Sequence, residues 1–459
     1  MSDFRPLHEW NGPPGGLVVW RPTAETLAAV SEAPTSPVPP SHEQEQHLRA
    51  YRACERQGAE MARLLIVTWQ EPGVCDLRAM TQVLNTYVQR HDTYHSWFRE
   101  HDGGIERRLV QDPAILRFAA VDLGMASAAD WQALVAATPS PFTWDCFRFG
   151  IVQHPESFTC FASIDHLHTD GSVSVTVWNG IGLEYRALAD GTTPAGGSSR
   201  ASYLEYCATQ RERTAALTLT DPAVAGWLDV LHADGGHLPR SPLDLGTVPA
   251  QSLAELVTMD LLDAATADRF DAACREVGAK GLGGVLACTA LAERSLLGTR
   301  HFGTVTPTTT RKSAAQFRMA GWCMGVVPIS LDLTDASFRT LAAAAQRCFD
   351  ERRPLADVPI ERVFELARDL PGIEHGGAGG AMLSFMDTSL PHKRQLTGPW
   401  HAAQGQVFIN PGLAGQVALW FLRSPRGLGV SAAYPATATA RASFAKYLHA
   451  IRVACLGVT

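Results

Sequence analysis

Residues 158–188 read FTCFASIDHLHTDGSVSVTVWNGIGLEYRAL, and the interpretation of the fold starts from this stretch. It opens with a short apolar run at 158–164, rich in aromatic residues, which is typical of a strand covered on at least one face. A polar turn from Asp165 to Gly171 follows, and then a helical pattern from about Val173 to Leu188. The order of strand, polar turn and helix predicts a functional site at the turn, because the strand end holds the first polar residues rigidly.

The turn carries one residue suited to acid–base chemistry, His166. A neutral imidazole can take the proton from a hydroxyl group as that group attacks an activated acyl carbon. Asp170 is placed to brace the turn through an ion pair with an arginine from a distant strand, and Gly171 permits a turn with an unusual φ angle. A lone H-x-x-x-D-G also occurs by chance, so the motif by itself leaves a purely structural histidine open.

A metal site is the alternative interpretation of the same turn. In a straight strand the side chains of His166, His168 and Asp170 would share one face and could ligate a transition metal. Gly171 indicates a turn instead, and no second cluster of ligands completes the shell, so we expect no metal. His168 is then a polar neighbour of a substrate channel or a hydrogen-bonded core histidine. HEQEQH at 42–47 is one residue too long for the zinc motif H-E-x-x-H and is expected to be a solvated helix start.

The composition is that of an ordinary globular protein. The 459 residues are 46% hydrophobic and 19% charged, and this length predicts two or three domains. A net charge of −7 leaves no surplus to neutralise phosphates, which argues against nucleic acid as a partner. The ten cysteines form no C-x-x-C pair and suit a reducing, cytoplasmic location. Without a signal-peptide pattern or a long apolar run, any contact with the inner membrane face is expected to be peripheral.

Apolar periodicity predicts helices and strands in both halves of the chain, and therefore an α+β protein. Asp76 can cap a helix that ends near Arg90. Further elements are predicted as strands at 63–69, 326–333, 381–386 and 416–422, and as helices at 264–275, 284–297, 336–349 and from Phe444 to Cys455. Residues 187–200 are rich in Gly, Ser, Thr and Pro, so we place a domain boundary there, between residues 1–190 and 191–459.

Four further segments resemble one superfamily in their order and spacing. They are RHDTYHSWF at 90–98, PFTWDCFRFGI at 141–151, TPTTTRK at 306–312 and GWCMGVVPI at 321–329. Together with the polar turn they resemble the condensation-domain and chloramphenicol-acetyltransferase superfamily, and within it the polyketide-associated acyltransferases of mycobacteria and their relatives. The resemblance covers most of the chain and is greatest to the branch whose members acylate trehalose or sulfated trehalose.

The resemblance implies a fold and a set of roles. The fold would be two chloramphenicol-acetyltransferase-like domains, arranged as a V-shaped pseudo-dimer with a central channel. His166 would be the general base, with Asp170 and Gly171 as structural residues of the site. Arg311 lies where the family has the arginine that pairs with the aspartate, so we expect an ion pair between Asp170 and Arg311 that joins the two domains.

The sequence departs from the family pattern in two places. The first histidine of the family motif H-H-x-x-x-D-G is Asp165 here, and the asparagine often found before P-V is replaced in the run from Gly325 to Pro328. Asp165, His168 and Trp322 are candidate contacts to the channel or the acceptor, although an aromatic residue on an apolar segment is more often plain core.

The implied function is that of an O-acyltransferase in glycolipid biosynthesis. It would move a fatty or polyketide acyl group from acyl-CoA, or from the acyl carrier protein of a polyketide synthase, to a hydroxyl of trehalose or a trehalose derivative. No cofactor is expected, since the thioester is a substrate. Two alternatives stay open: acylation of a polyketide or other secondary-metabolite alcohol, and a non-catalytic member that only binds acyl carriers or lipids, which Asp165 in place of histidine suggests.

Overall fold

A computed structural model describes residues 4–192, 201–374, 380–389, 398–413 and 417–459. Within these ranges the strands are β1 Phe4–Pro6, β2 Gly15–Pro22, β3 Leu64–Pro72, β4 Ser96–His101, β5 Gly104–Leu109, β6 Phe118–Ala126, β7 Phe147–Gln153, β8 Ser157–Asp165, β9 Ala254–Asp263, β10 His301–Thr309, β11 Met324–Asp332, β12 Met382–Asp387, β13 Gln406–Ile409, β14 Ala418–Ser424 and β15 Gly427–Pro435.

The helices accompany these strands along the whole chain. They are α1 Ala24–Glu32, α2 His42–Arg56, α3 Leu77–Arg90, α4 Ala128–Ala136, α5 Val173–Val177, α6 Leu183–Ala189, α7 Tyr203–Ala215, α8 Pro222–Ala233, α9 Ala264–Glu276, α10 Gly281–Leu297, α11 Ala314–Phe317, α12 Phe338–Arg352, α13 Ile360–Leu366 and α14 Ala438–Leu456. A π-helical turn at Trp178–Gly182 joins α5 to α6 into one helical segment. The α+β class is confirmed, and so are the predicted strands and helices of the second half. Among the described residues no helix is long and apolar enough to cross a membrane.

Two mixed sheets organise the molecule. The first has the order β1-β13-β3-β8-β7-β2-β6, and its central strands β3, β8 and β7 pair antiparallel. The second has the order β11-β10-β12-β14-β15-β9, with parallel pairs on either side of β12. Apolar clusters cover both faces of the first sheet, and a third large cluster joins the second sheet to α9, α10, α12 and α14. Because β8 lies inside the first sheet, its last residue is held firmly on both sides.

The helix before the first motif segment forms for the reasons that its sequence predicts. Asp76 caps α3 by accepting hydrogen bonds from the backbone N–H groups of Arg78 and Ala79. The apolar positions of α3, from Met80 to Val88, are buried against the first sheet. Burial of such a stripe, rather than helix propensity, supplies most of the stability of a helix of this length.

The predicted domain boundary at residue 190 does not assign every strand to its sheet, because of one strand that the sequence did not indicate. Strand β13 comes from the second half of the chain, yet it lies between β1 and β3 in the first sheet and pairs antiparallel with β3. Residues 193–200 of the predicted linker lie outside the described residues, and residues 187–189 belong to α6. The division at residue 190 therefore stays a prediction. One strand from the second half of the chain belongs to the first sheet.

A buried acid beside the apolar cluster of the second sheet gives a stability prediction. Glu293 on α10 accepts a hydrogen bond of 2.7 Å from the hydroxyl of Tyr447, and burial raises the pKa of Glu293 from 4.5 to about 7. The folded state therefore keeps a proton that the unfolded chain releases, and the free energy of unfolding should fall as the pH rises from about 4.5 to about 7.

Glu293→Gln should remove this pH dependence, because an amide oxygen can still accept the bond from Tyr447. We expect the variant to exceed the parent in stability by up to ~3 kcal/mol at about pH 8, and to match it near about pH 5. Urea unfolding at both pH values measures the difference. Glu276→Gln, at an exposed position, is the control and should change neither value; equal pH slopes for the parent and Glu293→Gln would contradict the prediction.

Candidate active site

The predicted catalytic turn lies at the end of β8. Asp165 is the last residue of the strand, and a 3₁₀ turn, His166–His168, follows directly. The carboxylate of Asp165 accepts the backbone N–H of Leu167, and the N–H of His166 donates to the carbonyl of Arg63 on the neighbouring chain segment. These bonds fix the direction in which the turn leaves the sheet.

His166 lies in a half-buried position, so its ring is not sealed in the core. Its ring centroid is 3.8 Å from that of Trp322, which comes from the second half of the chain just before β11. Nδ1 of His166 is buried and has no hydrogen-bond partner among the described residues, whereas Nε2, also without a partner there, is not buried. Nε2 is therefore the nitrogen through which His166 can meet a bound molecule.

The surroundings of His166 keep its ring neutral. Burial lowers the pKa of His166 below its usual value, and the neighbouring His47 lowers it further, although Asp170 and the backbone carbonyl of His166 itself act in the opposite direction. A neutral imidazole with an accessible nitrogen is the form that a general base requires.

Asp170 and Arg311 form the ion pair that the resemblance implied. Nη1 of Arg311 lies 2.6 Å from a carboxylate oxygen of Asp170, and both side chains are almost fully buried. The same carboxylate accepts the backbone N–H of Cys323 at 2.9 Å, while its other oxygen accepts the N–H and hydroxyl of Ser172. Burial alone would raise the pKa of Asp170, but Arg311 and these hydrogen bonds hold it below its usual value.

The arginine also organises the loop that carries Trp322. Its guanidinium donates to the backbone carbonyls of Gln316, Met319 and Gly321. Gly321 has a φ of +148°, and a Cβ there would lie 2.3 Å from the ring of Tyr203, so only glycine fits. Arg311 therefore joins the catalytic turn of the first sheet to the loop of the second.

Close packing also explains why residue 325 is a glycine. A Cβ at Gly325 would lie 1.9 Å from the carbonyl oxygen of Ala356. The asparagine that the family often has at this position would not fit against that backbone.

Asp165 does not contact a channel, as the sequence had suggested that it could. Its side chain is fully buried, with one carboxylate oxygen 2.6 Å from Nη1 of Arg63 and the other 2.7 Å from Nε2 of His47. Burial would raise its pKa, but His47 and Arg63 together lower the pKa of Asp165 to about 2. The expected contact is therefore wrong, because all of the carboxylate is used inside the protein.

His168 is likewise a core residue rather than a channel contact. It is fully buried, its Nδ1 is 3.0 Å from the hydroxyl of Thr93, and its Nε2 is 3.2 Å from the sulfur of Cys146. Burial lowers the pKa of His168 to about 4 and raises that of Cys146 well above its usual value, so this Cys–His pair does not ionise readily. The interpretation as a hydrogen-bonded core histidine is confirmed.

Two expectations about the turn and about α2 are wrong. The φ angle of Gly171 lies outside the left-handed region, and a Cβ there would meet no atom within 4 Å, so the turn does not depend on glycine. HEQEQH does begin α2, with Ser41 as its cap, but His42, Gln44 and His47 are buried rather than solvated. One helical turn after the start, His47 points toward the catalytic turn, and the sequence had given no reason to place it there.

The metal alternative finds no support in the arrangement of the turn. His168 is directed away from His166 into the core, and Asp170 is bound to Arg311. In the described part of the chain no group of three or more His, Cys, Asp and Glu side chains could hold a metal ion.

The role of Asp165 gives a second stability prediction. Asp165→His would restore the first histidine of the family motif, but it would leave Arg63 as a buried cation without its counterion. We expect a loss of ~3–5 kcal/mol in the free energy of unfolding, and a smaller loss for the isosteric Asp165→Asn. Thermal unfolding of both variants measures this, and a histidine variant as stable as the parent would contradict it.

Comparison with known proteins agrees with this geometry. Residues 66–370 match the condensation-domain family. The acyltransferase PapA3 of Mycobacterium tuberculosis H37Rv is 36% identical, with 97% of this chain and 94% of that protein covered. The 2'-acyl-2-O-sulfo-trehalose (hydroxy)phthioceranyltransferase PapA1 of strain CDC 1551 is 35% identical, with 98% and 88% covered.

A solved structure of a PapA2 acyl transferase superimposes with a TM-score of 0.94 at 35% identity, covering 100% of this chain and 99% of that one. The first condensation domain of the calcium-dependent antibiotic synthetase, at 16% identity and a TM-score of 0.68 over 90% of this chain and 94% of that one, shares the fold. The chain therefore belongs to the condensation-domain family. Within that family it is an acyltransferase related to the PapA proteins.

Proposed function

We propose that the protein transfers an acyl group from a thioester to a hydroxyl of trehalose or a trehalose derivative, with His166 as general base. The observation that carries the proposal is the half-buried ring of His166, which lies beside Trp322 between the two halves of the chain and has an accessible Nε2. The acceptor class is supported by two related proteins, which are named a trehalose-2-sulfate acyltransferase and a 2'-acyl-2-O-sulfo-trehalose transferase.

The chemistry can proceed in two steps at one histidine. Nε2 of His166 takes the proton of the acceptor hydroxyl while the oxygen forms a bond to the thioester carbonyl carbon. The tetrahedral intermediate then breaks its C–S bond, and the imidazolium returns the proton to the thiolate, so that an ester and a free thiol leave. A positioned general base supplies ~10²–10⁴-fold of rate, and alignment of two bound substrates can supply ~7–11 kcal/mol more.

The cysteines near the site do not offer a covalent route. Burial raises the pKa of Cys323 and of Cys146 well above the usual value of a thiol. A thiol is a weak nucleophile compared with its thiolate, and these two thiols resist ionisation. Direct attack of the acceptor on the thioester is therefore the mechanism that we propose, without metal or cofactor.

The donor is an acyl thioester, either acyl-CoA or an acyl carrier protein. The starter condensation domain of rhizomide synthetase, which shares the fold, has been solved as a mutant in complex with C8-CoA, and this supports an acyl-CoA donor. A carrier protein of a polyketide synthase would bring the same thioester on a tethered arm.

Intact-mass and product analysis tests the proposal. Purified protein is incubated with acyl-CoA donors of graded chain length and with trehalose, trehalose 2-sulfate or a polyketide alcohol. A monoacylated trehalose product supports the proposal. A product with the polyketide alcohol alone would overturn the acceptor assignment, and release of free CoA without any ester would overturn acyl transfer to these hydroxyls.

A further inference from the structure

A buried polar cluster stands beside His166 and has no role in the chemistry described above. It consists of His47 on α2, Asp165 at the end of β8 and Arg63 just before β3. His47 and Asp165 are both almost fully buried. Such a cluster is costly to desolvate and is retained only where every charge is paired, so its presence next to the catalytic ring calls for a physical reason.

The ring of His47 lies close to the rings of Trp322 and His166. Its centroid lies 5.6 Å from that of Trp322, edge to face, and 6.3 Å from that of His166. Trp322 therefore contacts two imidazoles, one from α2 and one from the catalytic turn. The three rings come from three separate segments of the chain and meet only in the folded protein.

The two nitrogens of His47 are in different situations. Nε2 is 2.7 Å from the carboxylate of Asp165. Nδ1 has no hydrogen bond within the described residues and is not among the buried nitrogens that lack a partner, so this atom is accessible.

The carboxylate of Asp165 decides which nitrogen of His47 is used inside the protein. Since the pKa of Asp165 lies at about 2, its carboxylate is ionised and accepts a hydrogen bond from Nε2 of His47. Nδ1 is then the ring nitrogen that is left to form a hydrogen bond with a bound molecule. Arg63 neutralises the carboxylate from its other side and fixes this orientation.

Two imidazole nitrogens without a partner among the described residues thus belong to neighbouring rings, Nε2 of His166 and Nδ1 of His47. We propose that His47 is an acceptor-binding residue whose Nδ1 forms a hydrogen bond with a second hydroxyl, adjacent to the hydroxyl that His166 deprotonates. The site would then select polyols with neighbouring hydroxyl groups over simple alcohols. This inference rests on the proposed function and specifies which feature of the acceptor the site recognises.

The test compares simple alcohols that differ only in where their hydroxyls lie. The probes are cyclohexanol, trans-1,2-cyclohexanediol and trans-1,4-cyclohexanediol, each with the same acyl-CoA. The parent protein should acylate the 1,2-diol with a kcat/KM roughly tenfold above that of the 1,4-diol, which is the value of one well-formed hydrogen bond. This arm needs no variant, so it does not depend on the folding of a mutant.

His47→Leu supplies the second arm, because it removes Nδ1 while Arg63 still pairs with Asp165. The ratio of kcat/KM for the 1,2-diol to that for the 1,4-diol should fall about tenfold toward one, mainly through KM. A merely structural role would lower both rates and leave their ratio unchanged, and that result would overturn the inference. A parent protein without preference between the diols would overturn it as well, while leaving the proposed function intact. Failure to acylate any alcohol, trehalose included, would overturn both.

Discussion

Replacement of His166 by alanine should reduce kcat by about 10²–10⁴-fold, the contribution of a positioned general base. The ring contributes little to the core because it is half-buried, so the variant should fold with the stability of the parent. Alanine leaves no group at the position of Nε2 that could take the proton of the acceptor hydroxyl. Single-turnover and steady-state rates with one acyl-CoA and one acceptor measure the loss.

The matched control is His101→Ala, at an exposed position of the β4–β5 hairpin. It removes the same side chain from a site that contacts neither Trp322 nor the catalytic turn, and its rates should equal those of the parent. Donor binding, measured by calorimetry with a non-hydrolysable thioester analogue, should be similar in all three proteins. If His166→Ala kept the parental kcat, the assignment of the general base would be wrong.

Loss of Arg311 should strongly reduce both stability and activity. Arg311→Ala leaves the carboxylate of Asp170 buried without its cation, and it removes the donors that hold three carbonyls of the loop before Trp322. Breaking one partner of a buried pair costs ~3–5 kcal/mol, enough for a drop of several degrees in the melting temperature. Activity should fall as well, because Trp322 and the catalytic turn lose their common support.

Arg339→Ala is the control for this experiment. Arg339 pairs with Glu276 on the surface, where both side chains are about two-thirds exposed, and such pairs contribute ~0–1 kcal/mol. Differential scanning calorimetry and kinetics on the two variants separate a buried from an exposed arginine. An Arg311→Ala protein that stays folded and shows unchanged kinetics would refute the role of the ion pair at the site.

The parts of the fold that could be predicted are those with local signals. The helix capped by Asp76, and the strand and the helix that flank the catalytic turn, follow from apolar spacing and capping residues, which depend only on near neighbours. The glycines at the start of α10 illustrate the limit. Gly283 and Gly284 allow close contact with Ala342 and with Phe270, a packing reason that no local pattern reveals.

The candidate site likewise has residues that could be predicted from the sequence and residues that could not. His166, Asp170 and Arg311 were predicted from a motif and a family resemblance, and the structure brings them together. His47 and Arg63 were missed because a polar residue on a helix or before a strand is usually solvated. Only the tertiary structure brings both side chains into contact with Asp165. The sole available hint was Asp165 itself, since an acid in place of the family histidine needs a cation nearby.

Strand β13 has a consequence for how the protein is made. The first sheet receives the strand between β1 and β3 only after residue 409 has left the ribosome, long after the other strands of this sheet have been synthesised. Until then β3 presents an open edge to other chains, a known route to aggregation. A chain that stops before residue 406 would therefore leave the edge of β3 unpaired, and we expect it to aggregate.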